Sequence, residues 1–277
     1  MRGKCVLLTG ATSGIGRAAA WSLANKGARV VILARSEEKA RGVIASIAEG
    51  TGNHDLVYIL CDLSAMDQVR RAAREFLDGN ERLDVLANNA GGINPRRAVT
   101  VDGFERTFAV NHLSHFLLTC LLLDRIEECA PSRIVITASD MHRYGTIHFH
   151  DLTLENEYRA FKAYEQSKLA NVLFGLELAR RLQGSGVDVN SFHPGAVRTR
   201  LYRGLGVLMR TTSLFFKSPE RGARTLAHLA SSPELEGATG RYFSRMRETR
   251  PSPEALDPER AKRLWRVSLE LTAGWLR

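Results

Sequence analysis

Tyr164 and Lys168 stand four residues apart in YEQSK, just ahead of the apolar-striped run LANVLFGLELARRL. On a helix that spacing sends both side chains from one face, one turn apart. Taken alone, the pair reads first as two solvent-facing residues near a helix start. The chemistry open to it is proton transfer. A free phenol, with a pKa of about 10, is a poor base at neutral pH, and an ammonium within reach favours the phenolate. Ser139, closing the run SRIVITAS, can donate to the oxygen that exchanges this proton and orient it.

A proton donor of this kind needs something to work against, and the start of the chain offers it. TGATSGIG, residues 9 to 16, follows an apolar run and opens a helical pattern. Gly10 permits a tight turn, Gly14 a close approach of backbone to ligand, and Gly16 close packing of helix on sheet. A pyrophosphate can then sit on the helix N-terminus. The spacing departs from G-x-G-x-x-G, and a plain structural loop is the alternative; its place between strand and helix favours a dinucleotide. At the end of the second strand, LARSEE presents Arg35 and no acid before Glu37, while Arg17 lies just inside the first helix. An acid there would bind the ribose hydroxyls of NAD, and an arginine accommodates a 2′-phosphate. NADP(H) is therefore expected, with plain surface arginines as the alternative. Asp62, in CDLS, can accept from the adenine amine or cap the following helix. Asn89, Ala90 and Gly91, in NNAG, bring a short side chain and close backbone to the cofactor, or form an unliganded turn.

The elements that must position these residues alternate along the chain. KCVLLTG, ARVVILA, DLVYILCDLS, LDVLANNAG, SRIVITAS and VDVNSFHPG read as six buried strands. Their near-continuous apolar character marks a parallel sheet covered on both faces. Helical patterns lie between them: 15–27, SEEKARGVIASIAEG with a glycine stop, AMDQVRRAAREFLDG, one long buried helix over VDGFERTFAVNHLSHFLLTCLLLDRIEE that can break near Asn111, and one beginning near Phe161. Right-handed crossovers then build an α/β fold, a Rossmann-type doubly wound parallel sheet with helices on both faces. Ligands bind beyond the carboxyl ends of such strands, where Ser139, His193-Pro194-Gly195 and YEQSK converge with the glycine turn. One domain over 1–277 is expected, with a substrate-side extension at about 196–232. Within it, 201–216 reads as a core helix pair or as a lid. SPERGARTLAHLASSPEL reads as a capped surface helix, GRYFS as a short strand, and DPERAKRLWRVSLELTAGW as a terminal amphipathic helix.

Composition bounds the partners. The 277 residues are 44% hydrophobic and 25% charged, an ordinary globular balance. The net charge of +9 favours anionic partners, but acids interrupt the basic residues throughout, so nucleic-acid binding is not expected. Arg203, Arg210 and Lys217, set among Leu, Met and Phe, leave a peripheral membrane contact open. Cys5, Cys61, Cys120 and Cys129 have no paired or metal-site spacing and read as reduced thiols of an intracellular protein. His112, His115, His142, His148, His150 and His193 read as structural or loop histidines, and no metal is expected. No run matches a signal peptide or a membrane span.

As a set, TGATSGIG, NNAG, Asn111 in VNHLSHF, Ser139, Tyr164 with Lys168, and HPG resemble a classical short-chain dehydrogenase/reductase, over residues 3 to about 200. FAVNHLSHFLLT, FHDL, YEQSKLANVLFGLELARRL and HPGAVRT are similar to its retinol dehydrogenase-like group, and GRYF extends the similarity. The resemblance implies a tetrad in which Asn111 holds a proton-relay water, Ser139 polarises the substrate, Tyr164 is the acid/base, and Lys168 tunes it and holds the nicotinamide ribose. It implies that Thr12, Ser13, Ile15, Asp62, Leu63 and Asn89 line the cofactor and that Thr199 reaches the carboxamide side. NADP(H) and retinoid, lipid-aldehyde or other carbonyl substrates follow from the same group. Pairing through two long helices, 103–128 and 161–182, would give a homodimer; a monomer stays open.

Two positions depart from the pattern: Ala138 replaces a second serine, and Asp140 puts a carboxylate beside Ser139. The expected function is an NADP(H)-dependent oxidoreductase interconverting an apolar aldehyde or ketone and its alcohol, retinoids leading. The alternatives are a carbonyl reductase of small xenobiotic or steroid carbonyls and a non-catalytic NADP-binding regulatory or scaffold protein. A cytoplasmic form is expected, with a membrane-associated longer relative left open.

Overall fold

The computed structural model describes residues 1–195 and 218–276. The expectations for Thr199, for 201–216 and for Arg203, Arg210 and Lys217 fall outside these. The strands are β1 Cys5–Thr9, β2 Arg29–Ala34, β3 Leu56–Leu60, β4 Val85–Asn88, β5 Ser132–Thr137, β6 Val187–His193, β7 Arg241–Ser244 and β8 Arg247–Glu248. The major helices are α1 Gly14–Asn25, α2 Glu37–Thr51, α3 Met66–Gly79, α4 Ser114–Glu128, α5 Ala160–Arg181, α6 Pro219–Ser231 and α7 Pro258–Thr272.

One sheet holds all eight strands in the order β3-β2-β1-β4-β5-β6-β7-β8. Its pairings are parallel except the last, where β8 turns back on β7. The apolar runs follow from burial on two faces. Cys5 and Leu7 face one core while Val6 and Leu8 face the other, and Leu86 is divided from Val85 and Ala87 in the same way. Helices α3, α4 and α5 cover the first face; α1, α2 and α6 cover the second. Of the expected extension at 196–232, residues 219–231 form α6, whose Ala223, Leu226 and Leu229 are buried in the second core.

Three local expectations are corrected. The glycine stop of α2 is Gly52, in the left-handed region at φ 69°, and not Gly50. Gly50 instead lies inside the helix against Trp21, where an added Cβ would come 2.1 Å from the indole. The long helix over 101–128 does not exist as one element. Thr100 to Gly103 turns, Glu105 caps a single turn Arg106–Phe108 through Thr107 N and Phe108 N, and a π-helical turn Ala109–Leu113 precedes α4. Its marker is Ser114 N donating to the Ala109 carbonyl, five residues back. Finally, the first amide of α3, Met66 N, is held by Asp102 at 2.8 Å rather than by Asp62.

Helix α7 closes over α4 and α5. Trp265 meets Phe116 edge-on at 5.0 Å between centroids and Phe174 at 6.0 Å, and the Arg181 guanidinium stacks on its outer side at 4.3 Å. Burial pushes the Cys5, Cys61 and Cys120 thiols up to about 12, which suits inert packing residues. Among the described residues, no helix is long and apolar enough to cross a membrane, and no three His, Cys, Asp or Glu are grouped to hold a metal ion.

Candidate active site

A cleft of about 650 Å³ opens where the carboxyl ends of β1, β2, β4 and β5 meet. The glycine turn forms its floor through Gly10, Thr12, Ser13, Gly14, Ile15 and Gly16. Gly10 has φ +70°, and a Cβ there would lie 2.8 Å from Ala90 Cα. At Gly16 a Cβ would meet the Gly10 carbonyl at 2.2 Å and the Asn89 side chain at 2.7 Å. Gly16 therefore lets the turn close on itself and on NNAG, a tighter constraint than helix-on-sheet packing. Asn89 Nδ2 donates to the Thr9 carbonyl at 2.9 Å and fixes that contact.

Arg35 lines the cleft at the end of β2, together with Ser36 and Lys39. Ser36 caps α2 by accepting from Lys39 N, so Lys39 sits in the first helical turn, above Arg35. Glu37, the nearest acid, is engaged elsewhere: its carboxylate takes Arg41 at 2.6 Å and the Tyr58 hydroxyl at 2.9 Å. These partners hold its carboxyl below the usual range, Arg41 first. Arg17 is not among the cleft residues; its guanidinium donates to Ser46 Oγ at 3.1 Å. Asp62 and Leu63 line the cleft at the end of β3. The Asp62 carboxylate accepts from Ser64 N and Ser64 Oγ, which shapes the turn before α3.

Tyr164 and Lys168, in the first turns of α5, line the opposite wall with Asn111 and Gly91. Lys168 Nζ lies 5.5 Å from the Tyr164 ring centroid and donates to the Thr137 carbonyl at 3.0 Å. Burial pushes the Lys168 ammonium down to about 8. It stays mostly charged at neutral pH, poised to favour a phenolate. Asn111, in the π-helical turn, accepts from Gly92 N at 2.8 Å and donates to Ser167 Oγ at 2.9 Å. A Cβ on Gly91 would stand 3.2 Å from Asn111 Oδ1 and 3.3 Å from Lys168 Nζ. Gly91 thus leaves open the space that these two groups share.

Ser139 starts the 3₁₀ turn Asp140–Tyr144, one residue beyond the cleft-lining Thr137 and Ala138. Its hydroxyl accepts from Met141 N at 3.2 Å. The Asp140 carboxylate is engaged through both oxygens. Oδ1 accepts from the Tyr242 hydroxyl at 3.0 Å, and Oδ2 lies 3.3 Å from His193 Nε2. Asp140 N in turn donates to His193 Nδ1 at 3.2 Å, so β5, β6 and β7 are joined beside Ser139. Pro194 lines the cleft; Gly195, at φ +89°, is not among its lining residues.

Sequence reasoning missed Lys39, Arg106 and Asn94 in the cleft wall. Lys39 had a signal, since it stands four residues after Arg35 and three after the Ser36 cap. Arg106 and Asn94 carry none, because both depend on how the 91–113 segment folds back. Chemically, the site offers a glycine cradle for a pyrophosphate, cations beside it, and a phenol–ammonium pair at its far end.

The comparisons with known proteins agree with this geometry. Residues 4–206 match the family described as short chain dehydrogenase. Human retinol dehydrogenase 14 is 45% identical over 297 aligned residues, covering 100% of this chain and 88% of that protein. An uncharacterized protein from Mycobacterium paratuberculosis superposes with a TM-score of 0.80 at 33% identity, over 98% of this chain and 94% of its own. The Pseudomonas aeruginosa RhlG/NADP active-site complex does so at 0.72 and 26%, over 88% and 95%. With the order of its sheet, its glycine turn and its Tyr164–Lys168 wall, the chain belongs to the short-chain dehydrogenase/reductase family of oxidoreductases, in the retinol dehydrogenase-like group.

Proposed function

We propose that the protein is an NADP(H)-dependent oxidoreductase that interconverts an apolar aldehyde or ketone and its alcohol, with retinoid-like substrates favoured. The cofactor preference rests on one observation: Arg35 and Lys39 line the cleft at the end of β2, while Glu37 is bound to Arg41 and Tyr58. Two cations there suit a 2′-phosphate, and the carboxylate that would bind ribose hydroxyls is missing from that wall among the described residues. The cradle fits the group as well, since Gly10 and Gly16 have no room for a Cβ.

Bound in this cleft, the nicotinamide supplies or accepts the hydride. Tyr164 gives the proton to the carbonyl oxygen in reduction and removes it in oxidation. Lys168 favours the phenolate, and Ser139 donates to the substrate oxygen. Asn111, fixed by Gly92 and Ser167, keeps the far side of Lys168 in place for proton resupply. The retinoid preference is supported by the 45% identity to human retinol dehydrogenase 14.

Fluorescence titration should give tighter binding of NADPH than of NADH. Replacing both Arg35 and Lys39 by serine should remove most of that difference. Equal affinities in the parent would overturn the cofactor assignment. NADPH consumption against all-trans-retinal, medium-chain aldehydes, aromatic ketones and steroids tests the substrate. Retinal should be reduced fastest; a preference for small ketones would replace the retinoid reading. Tyr164→Phe should lose on the order of a hundredfold or more in turnover while keeping NADPH affinity.

A further inference from the structure

His115 is 1% exposed, and every polar atom of its ring is engaged. Its ring partners are two residues of the cleft's own framework, Thr9 and Asn111. Thr9, the last residue of β1, turns its hydroxyl toward NNAG, where Oγ1 accepts from Asn89 N at 2.8 Å and Ala90 N at 2.9 Å. Those two amides fill both lone pairs of the hydroxyl, so its single proton must be donated outward. Two acceptors are in reach: His115 Nε2 at 2.9 Å and the Ala87 carbonyl at 3.4 Å. The shorter, nearer-ideal contact is to the imidazole. Nε2 is then a bare acceptor, and the proton of the neutral ring resides on Nδ1. Nδ1 faces the Asn111 main-chain carbonyl at 3.1 Å, which can only accept. Each donor meets an acceptor under this one tautomer.

The ring therefore bridges two pieces of main chain that no covalent path joins closely: the NNAG amides and the carbonyl of Asn111. The NNAG amides lead into Gly91, beside which Lys168 Nζ and the side-chain Oδ1 of Asn111 lie. Asn111 belongs to the π-helical turn and His115 to the first turn of α4, four residues on. No other side chain combines a donor and an acceptor on opposite sides of a rigid ring of this size.

We propose that His115 is a positioning residue: as a neutral Nδ1–H imidazole it ties the Asn89–Ala90 cofactor loop to the Asn111 main chain, so that the two sides of the Lys168 pocket keep one register. The two halves of the bridge have separable effects. The Nε2 half holds the cofactor loop through Thr9, and the Nδ1 half holds Asn111. This inference rests on the reading of the cleft as an NADP(H) site, and its test carries a measurement independent of that reading.

Nitrogen-15 NMR of histidine-labelled protein, with the signal assigned by its loss in His115→Gln, reports the tautomer directly. Protonated Nδ1 and bare Nε2, unchanged from neutral pH down to pH 5, are expected; an Nε2–H ring or titration in that range overturns the proposal, whatever the cofactor. Two variants then divide the bridge. His115→Asn keeps a donor at the Nδ1 position and loses the acceptor for Thr9. His115→Gln reaches Thr9 with an acceptor and has no donor for Asn111. Leaving one buried partner unsatisfied costs enough for about a tenfold effect in each. The Asn variant should weaken NADPH binding about tenfold and spare more of kcat. The Gln variant should lower kcat on the parent's fastest carbonyl about tenfold and spare more of the NADPH affinity. Melting temperatures of both variants control for folding. Identical kinetic changes in the two, or a loss of melting temperature with parental kinetics, would overturn the division of roles. Failure of the parent itself to bind NADPH, with the tautomer as expected, would instead count against the function reading.

Discussion

His142 donates from Nδ1 to the main-chain carbonyl of Ser139 at 2.6 Å, while its Nε2 accepts the Ser252 amide at 3.0 Å. The ring is fully buried and lies edge-on to Tyr242 at 4.9 Å between centroids. The C-terminal segment thereby holds the backbone of the residue proposed to polarise substrate. His142→Phe keeps the packing and the main-chain bond from residue 142 to the Ser139 carbonyl, but strands the buried Ser252 amide. It should destabilise the fold by about 1–3 kcal/mol, and lower turnover as Ser139 loses the ring's hold on its carbonyl. Urea unfolding together with kcat measurements checks both; an unchanged midpoint would show that the clamp carries no energy.

Lys168 poses the opposite case. Its ammonium is buried and pushed down to about 8 by that burial, and its partner, the Thr137 carbonyl, also accepts from Asn171 Nδ2 at 3.1 Å. Lys168→Met removes a costly buried charge without stranding that carbonyl. The expected outcome is near-complete loss of turnover with a folded state more stable by on the order of 1 kcal/mol. Thermal melts of the apo protein decide it, and a lower midpoint than the parent's would refute the balance.

Acid should unfold the protein through its buried histidines before most carboxylates titrate. Burial pushes His112 down to about 4 and His115 to about 3. Both folded values lie below the ordinary value of about 6.5, so the unfolded chain takes up the protons. Stability is fully present above about pH 6.5 and drains as pH falls toward 4 and then 3. At pH 5 the loss should be about 2 kcal/mol for each ring. Urea midpoints at pH 7 and pH 5 measure it, and equal midpoints would mean that these rings are not held neutral.

A homodimer through 103–128 and 161–182 is left open by the sequence. In the fold, Phe116 and Phe174 from these stretches meet Trp265 of α7, and Ser268 of α7 contacts His112 at 3.0 Å. The chain's own α7 thus covers the part of these elements around Phe116, Phe174 and His112. Light scattering should give the mass of one chain. Trp265→Ala, which empties this cluster at a cost of about 3–5 kcal/mol, should lower stability and promote association.

Much of the fold is legible because burial on both faces of a parallel sheet writes itself as unbroken apolar runs, as in VVILA and IVIT. The glycine turn and YEQSK are legible for a similar reason: their constraints are local. What escapes the sequence is set by distant partners. Gly50 and Gly52 are equivalent as letters, and only backbone handedness and Trp21 separate them. The cap on α3 comes from Asp102, which reaches Met66 across the fold. The π-helical turn adds one residue to a helix without changing its composition. Arg17, expected beside the cofactor, is engaged by Ser46, and Lys39, of which nothing was expected, lines the cleft from the turn that the Ser36 cap begins. The histidines read from sequence as structural turn out to hold the backbone of Asn111 and Ser139.

The two borders of the sheet are unequal. At one end β8 is two residues long, antiparallel, and carries the exposed charges of Arg247 and Glu248. At the other, β3 offers five residues, with Leu56, Val57 and Tyr58 half-buried and Leu60 38% exposed. A short, charged margin resists strand addition from another molecule, whereas a longer apolar margin invites it. Aggregation on heating should therefore begin by intermolecular pairing along β3, and Leu60→Lys should delay turbidity without altering NADPH binding. The end of the sheet farthest from the proposed chemistry thus sets how concentrated this enzyme can be kept.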